Sequence, residues 1–137
     1  FWGDVHRRQL GEARAAHISP IRSALALGLN ASNHSDFIVT PLDPMFILWT
    51  SMTRTTRSGF ALGPDQRLDA WNGLKALTIN PAWAYREEGR RGSIEAGKLA
   101  DFTLLSANPL VTPPAQIRGI KVIGTIKEGR FVWEAEK

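Results

Sequence analysis

Cysteine is absent from this 137-residue chain, tyrosine occurs once and methionine twice. Without cysteine there is no disulfide framework and no thiolate metal centre, so any metal has to be held by oxygen or imidazole. No His-x-His pair occurs. Long apolar runs are lacking as well: none approaches the roughly 20 residues that cross a bilayer, which argues against a membrane partner. The opening Phe1-Trp2-Gly3-Asp4-Val5-His6-Arg7 has neither the charged start nor the apolar core of a secretory leader. On these grounds the chain is read as cytoplasmic.

Charge of one sign is in modest excess, 17 Lys and Arg against 13 Asp and Glu. A clustered excess would suggest nucleic acid, but here the basic residues are dispersed. Arg90-Arg91 follow Glu87-Glu88 closely, and no stacking-aromatic motif accompanies them. The reading is no nucleic acid. The hydrophobic and charged shares, 43% and 22%, are those of an ordinary globular protein rather than a disordered one.

What is present begins with helix punctuation. Ser19-Pro20 supplies a capping hydroxyl and a first-turn proline, Ile21 and Leu25 give an apolar face, and Gly28 supplies the terminator. Asp43-Pro44 repeats the start signal. Met45, Ile47, Leu48, Trp49 and Met52 then make a broad apolar face on a helix expected to reach about Arg57, and such a face belongs in a core. Asp69 caps a third helix through Trp71, Leu74 and Leu77. Asn80-Pro81 is expected to interrupt it, because proline disfavours the α conformation in the residue before it. The first dozen residues lack a clean period and read as loop. His6 and His17 carry no ligand spacing and read as structural or surface residues, while Phe1 and Trp2 are either packing groups or the wall of a pocket.

From Gly89 the character changes. Glycines at 89, 92 and 97 mark turns, Phe102-Thr103-Leu104-Leu105 reads as a strand, and residues 120–126 alternate. Glu128-Gly129 joins that second strand to Phe131-Val132-Trp133 as a tight hairpin.

Between the first two helices lies Asn30-Ala31-Ser32-Asn33-His34-Ser35-Asp36, which reads as a short strand stopping at an acid, just before a loop broken by Pro41 and Pro44. In parallel α/β folds a strand end that feeds a loop is where chemistry gathers, because the strand holds the acid while the loop varies. Asp36 is therefore the leading site residue. An aspartate that merely closes a turn is the other reading. His34, two residues earlier, points to the same side as Asp36 if the strand is regular.

His34-Ser35-Asp36 with Val39, Pro41 and Asp43-Pro44 resembles the final barrel strand of the amidohydrolase superfamily, specifically its amidohydrolase-3 group. Thr53-Arg54 to Gly59, Leu77-Thr78-Ile79-Asn80-Pro81-Ala82 and Gly92-Ser93-Ile94-Glu95-Ala96-Gly97-Lys98-Leu99-Ala100-Asp101-Phe102 fall in the order that group shows. The resemblance covers nearly the whole chain, and the last segment is its most specific part.

The resemblance implies an α/β fold: the C-terminal part of a (β/α)8 TIM barrel plus part of a small β-sandwich domain. Residues 1–88 would be the last strand and helices of the barrel, and 89–137 the C-terminal part of the composite sandwich. A whole barrel takes about 250 residues, so the chain, which starts with Phe, is expected to be a C-terminal fragment. The implied activity is hydrolysis of C–N bonds in non-peptide or cyclic amides of small molecules. The implied cofactor is a divalent metal, Zn2+, most of whose ligands lie outside these residues. Asp36 would be both metal ligand and catalytic proton carrier, and His34 a substrate-binding residue. The chain alone is expected to be inactive. A non-catalytic interaction or assembly module derived from that fold is the alternative. In either case the apolar face of Met45, Ile47, Leu48, Trp49 and Met52 needs cover, expected from the rest of a parent chain or from a homo-oligomer.

Overall fold

Three short helices open the chain, α1 (Gly3–Leu10), α2 (Glu12–Ala15) and α3 (Ile21–Ala26), in a computed structural model that describes residues 1–136. The helical start corrects the loop expected for the first dozen residues. Charge stabilises α1 where periodicity does not: Asp4 lies in its first turn and Arg7 and Arg8 in its last, each complementing the helix dipole. Gly11, at φ 76°, ends it. Asp4 also accepts hydrogen bonds from the Ser58 amide at 3.0 Å and the Ser58 hydroxyl at 2.7 Å, so tertiary contacts hold this helix in place.

Helix α4 (Pro44–Thr53) starts as the sequence predicts, with the Asp43 carboxylate accepting from the Phe46 amide at 3.0 Å. It ends at Thr53 rather than near Arg57. Arg54 stands in the left-handed region at φ 55°, and its guanidinium donates to the carbonyls of Leu62 (2.9 Å), Ile18 (2.8 Å), Ser19 (3.2 Å) and Ala16 (3.4 Å). Those four bonds hold the turn after the helix and join it to the segment between α2 and α3. Burial holds the Arg54 pKa below its ordinary value, because loss of water disfavours the charged form.

Helix α5 (Ala70–Leu77) is capped by Asp69, which accepts from the Asn72 amide at 2.7 Å. The break before α6 (Ile79–Ala84) falls at Thr78 (φ −126°, ψ −85°), two residues earlier than proline alone predicts. Asn80 is therefore helical despite preceding Pro81. Its side chain, which donates to the Ala31 carbonyl at 2.8 Å, holds it there.

The core forms around α4. Met45, Leu48 and Met52 are buried against Ile117 and Ile120, with Trp49, Leu74, Leu77 and Leu105 packed around them. Helix α5 approaches closely enough that a Cβ on Gly73 would lie 2.5 Å from Leu48 Cδ1. Much of the apolar face of α4 thus finds cover inside the chain, with Trp49 left partly buried. Residues of this type stabilise by roughly 1.5–3 kcal/mol each when fully buried, and Leu48 is 0% exposed.

Strands β1 (Phe102–Leu105), β2 (Val122–Lys127) and β3 (Arg130–Glu134) form one antiparallel sheet in that order. Phe102 pairs with Ile126 and Leu104 with Gly124, and Lys127 pairs with Arg130 across the hairpin. Glu128 and Gly129 both have positive φ, 49° and 79°, the combination a two-residue hairpin turn requires. A 3-10 turn (Pro114–Gly119) connects β1 to β2 and delivers Ile117 to α4. Helices and a sheet are both present, as expected, but the strands are antiparallel to one another and follow the helices rather than alternating with them.

Candidate active site

The stretch 30–36 does not form a strand. An extended backbone counts as strand only when a neighbour completes its ladder, and among the described residues none lies alongside. Its bonds go instead to helices: the Asn33 amide donates to the Ala76 carbonyl at 2.9 Å, and Ala31 accepts from Asn80. Asp36 then opens a turn, with φ 51° and its carbonyl accepting from the Val39 amide at 2.7 Å. The backbone here adopts the turn that was the other reading of this aspartate. Its side chain is free of that turn. The carboxylate is exposed and has no hydrogen-bond partner among the described residues.

His34 does not lie beside Asp36 on one face of a regular strand. It folds back, its Nδ1 accepting from the Asp36 amide at 3.1 Å. A neutral imidazole has one acceptor and one donor nitrogen, so this bond assigns the proton to Nε2. The free edge of His34 is then a donor, suited to a carbonyl oxygen and unsuited to a metal ion. Thr40 closes the loop with a short hydrogen bond from its hydroxyl to the Ser35 carbonyl.

His34 and Ser35 line a cavity of about 280 Å³ together with Trp2, His6, Thr40 and Arg54. The sequence reading left His6 among structural or surface residues. The structure instead buries its Nδ1 without a hydrogen-bond partner and places the ring in the cavity wall. Gly3 and His6, both lining residues, stand one helical turn apart, a signal that exists only once α1 is recognised as a helix. Phe1 and Trp2 also line the cavity, and Phe1 in addition packs edge-on against Phe46 with ring centres 5.8 Å apart, so Phe1 serves both roles considered for the pair. His17 is exposed and lies outside it.

Among the described residues no three His, Asp or Glu side chains gather as a metal site would require. The donor set fits a metal only as a single oxygen ligand, the unpartnered Asp36 carboxylate, with the remaining ligands supplied from elsewhere.

The profile described as Amidohydrolase family matches residues 3–133. The chain is 34% identical over 134 residues to the N-substituted formamide deformylase of Arthrobacter pascens, an alignment covering 97% of this chain and 25% of that protein. It is 31% identical over 121 residues to the imidazolonepropionase of Kosmotoga olearia, covering 88% of this chain and 26% of that one. Among solved structures it superimposes on an amidohydrolase from Thermotoga maritima MSB8 with a TM-score of 0.62 and 27% identity, over 84% of this chain and 26% of that chain. The chain spans about a quarter of the length of the curated relatives it matches.

Proposed function

The chain belongs to the amidohydrolase family, and from that premise we propose that it is the C-terminal portion of a metal-dependent hydrolase that cleaves C–N bonds in small non-peptide or cyclic amides. Residues 1–88 supply the last strand and helices of a (β/α)8 barrel, and 89–137 the C-terminal part of a small β-sandwich. In the complete barrel, segment 31–36 gains the ladder neighbours that make it a strand. Support comes from the similarity to proteins named for amide-type hydrolysis and from the three-stranded sheet that follows the helices.

The observation that carries the chemistry is the exposed, unpartnered Asp36 carboxylate beside an imidazole whose free nitrogen is a donor. Asp36 would be one oxygen ligand of a divalent ion, Zn2+ in the first instance. When bound, such an ion lowers the pKa of water towards 7 and polarises a carbonyl. Asp36 itself accepts the proton of the attacking water and delivers it to the departing nitrogen, so the amine leaves neutral. His34 Nε2 donates to the substrate carbonyl oxygen and orients it.

The test is metal dependence of turnover on an N-substituted formamide, in a protein carrying the complete barrel. Chelation abolishes hydrolysis and added Zn2+ restores it. Full activity in metal-free protein would contradict the assignment.

A further inference from the structure

A second concavity, of about 380 Å³, adjoins the first and contains no residue given a catalytic role above. It is lined by Phe1, Phe46 and Trp49, by Arg57 and Arg118, and by Asp43 at its edge. The aromatic groups form a continuous surface. Phe46 stacks on Trp49 with centroids 5.6 Å apart and planes 24° apart, and Phe1 meets Phe46 edge-on.

Two guanidiniums sit on this surface. Arg57 lies 4.3 Å from the Phe1 ring centre, and Arg118 lies 5.1 Å from that of Phe46 and 5.3 Å from that of Trp49. A guanidinium held against a ring by cation–π attraction keeps N–H groups that can still donate. The ion pairs among the described residues involve Arg7, Arg90, Arg91 and Lys98, so neither Arg57 nor Arg118 has an acidic partner. Neither donates a hydrogen bond to any described residue. Asp43 lines the same groove and caps α4 through Oδ1 at the Phe46 amide, and it forms no ion pair with either guanidinium.

We propose that this groove is a binding site for a planar aromatic carboxylate. The rings of Phe1, Phe46 and Trp49 supply an aromatic wall, and the N–H groups of Arg57 and Arg118, which no described acid engages, supply donors that match a carboxylate. Two cations against one engaged carboxylate set the sign of the ligand's charge. Phe1, Phe46, Thr55 and Thr56 line both this groove and the cavity beside His34, so the two share a wall. The site needs neither metal nor Asp36, and its test is independent of the proposed hydrolysis.

Benzoate, titrated into the protein by calorimetry against its neutral counterpart benzamide, is the probe. Saturable benzoate binding at least about tenfold tighter than benzamide is expected, with each of Arg57→Gln and Arg118→Gln weakening benzoate by about tenfold. The loss in these variants separates groove binding from capture of benzoate by a metal. Equal affinity for the two probes, no saturable binding of benzoate, or wild-type affinity in both variants would each overturn the proposal. Should Arg118→Gln fail to fold, the wild-type comparison and the exposed Arg57 decide it.

Discussion

The loop that carries Asp36 and the turn that carries Ser93 to Asp101 are held in opposite ways. In 92–101 nearly every bond is local. Lys98 Nζ donates to Ser93 Oγ at 2.5 Å and to Glu95 Oε1 at 3.2 Å, Ser93 Oγ donates to Glu95 Oε1 at 2.5 Å, and the Leu99 amide reaches the Arg90 carbonyl at 2.9 Å. The hairpin then locks onto its end, the Glu128 amide on Asp101 and the Gly129 amide on the Ala100 carbonyl. In 36–42, by contrast, Phe37 is 65%, Ile38 82% and Leu42 71% exposed. The first segment pairs its own polar groups and leaves Ile94 exposed, whereas the second presents several exposed apolar side chains and an acid without a hydrogen-bond partner among the described residues.

The sharpest way to break this contrast is at Gly92. Its φ is +90°, and a Cβ there would lie 2.7 Å from Ala82 Cβ and 2.9 Å from Ile79 Cα. Gly92→Val therefore combines backbone strain with a clash against α6, and about 3–5 kcal/mol of destabilisation is expected in a urea melt. A loss under about 1 kcal/mol would show that the turn is not rigidly seated.

A smaller effect comes from acid. Ser93 and Lys98 hold the Glu95 carboxyl below the ordinary glutamate range. A depressed folded pKa contributes stability above the unfolded value, about 4.3, and that contribution disappears as pH falls through the lower folded value. Amide exchange at 93–98 should accelerate between those pH values, relative to the helices, and should do so at higher pH in Lys98→Met. Identical pH profiles in the two proteins would detach Lys98 from the turn. The smallest effect belongs to the other side of the comparison. Asp36→Asn should change stability by no more than about 0.5 kcal/mol, because an exposed carboxylate without partners stabilises nothing. A larger loss in a thermal melt would make Asp36 structural.

What was legible in the sequence follows the same division. Asp43 and Asp69 as helix caps, Gly28 after α3, and Glu128-Gly129 as a hairpin turn are all local chemistry, and each stands where expected. The end of α4 was not legible because Arg54 is held by carbonyls from residues 16–19 and 62, most of them far off in sequence. Nor was α1, whose Asp4 is tied to Ser58. The break at Thr78 instead of Asn80 rests on a bond from Asn80 to Ala31. Segment 31–36 shows the rule from the other side: its place between a helix terminator and a loop broken by prolines reads as a strand, but a ladder requires neighbours. Asp36 and His34 stand out as candidates from their place before a broken loop. His6 does not, because its position in the cavity wall depends on how α1 docks.

The most direct measurement is kcat for amide hydrolysis by Asp36→Asn in a protein carrying the complete barrel, beside its melting temperature. An asparagine keeps the shape and removes the proton acceptor. The account predicts an unchanged melt and a fall in kcat of about a hundredfold or more, the scale of a lost general base. A folded Asp36→Asn protein with near-normal turnover would contradict it.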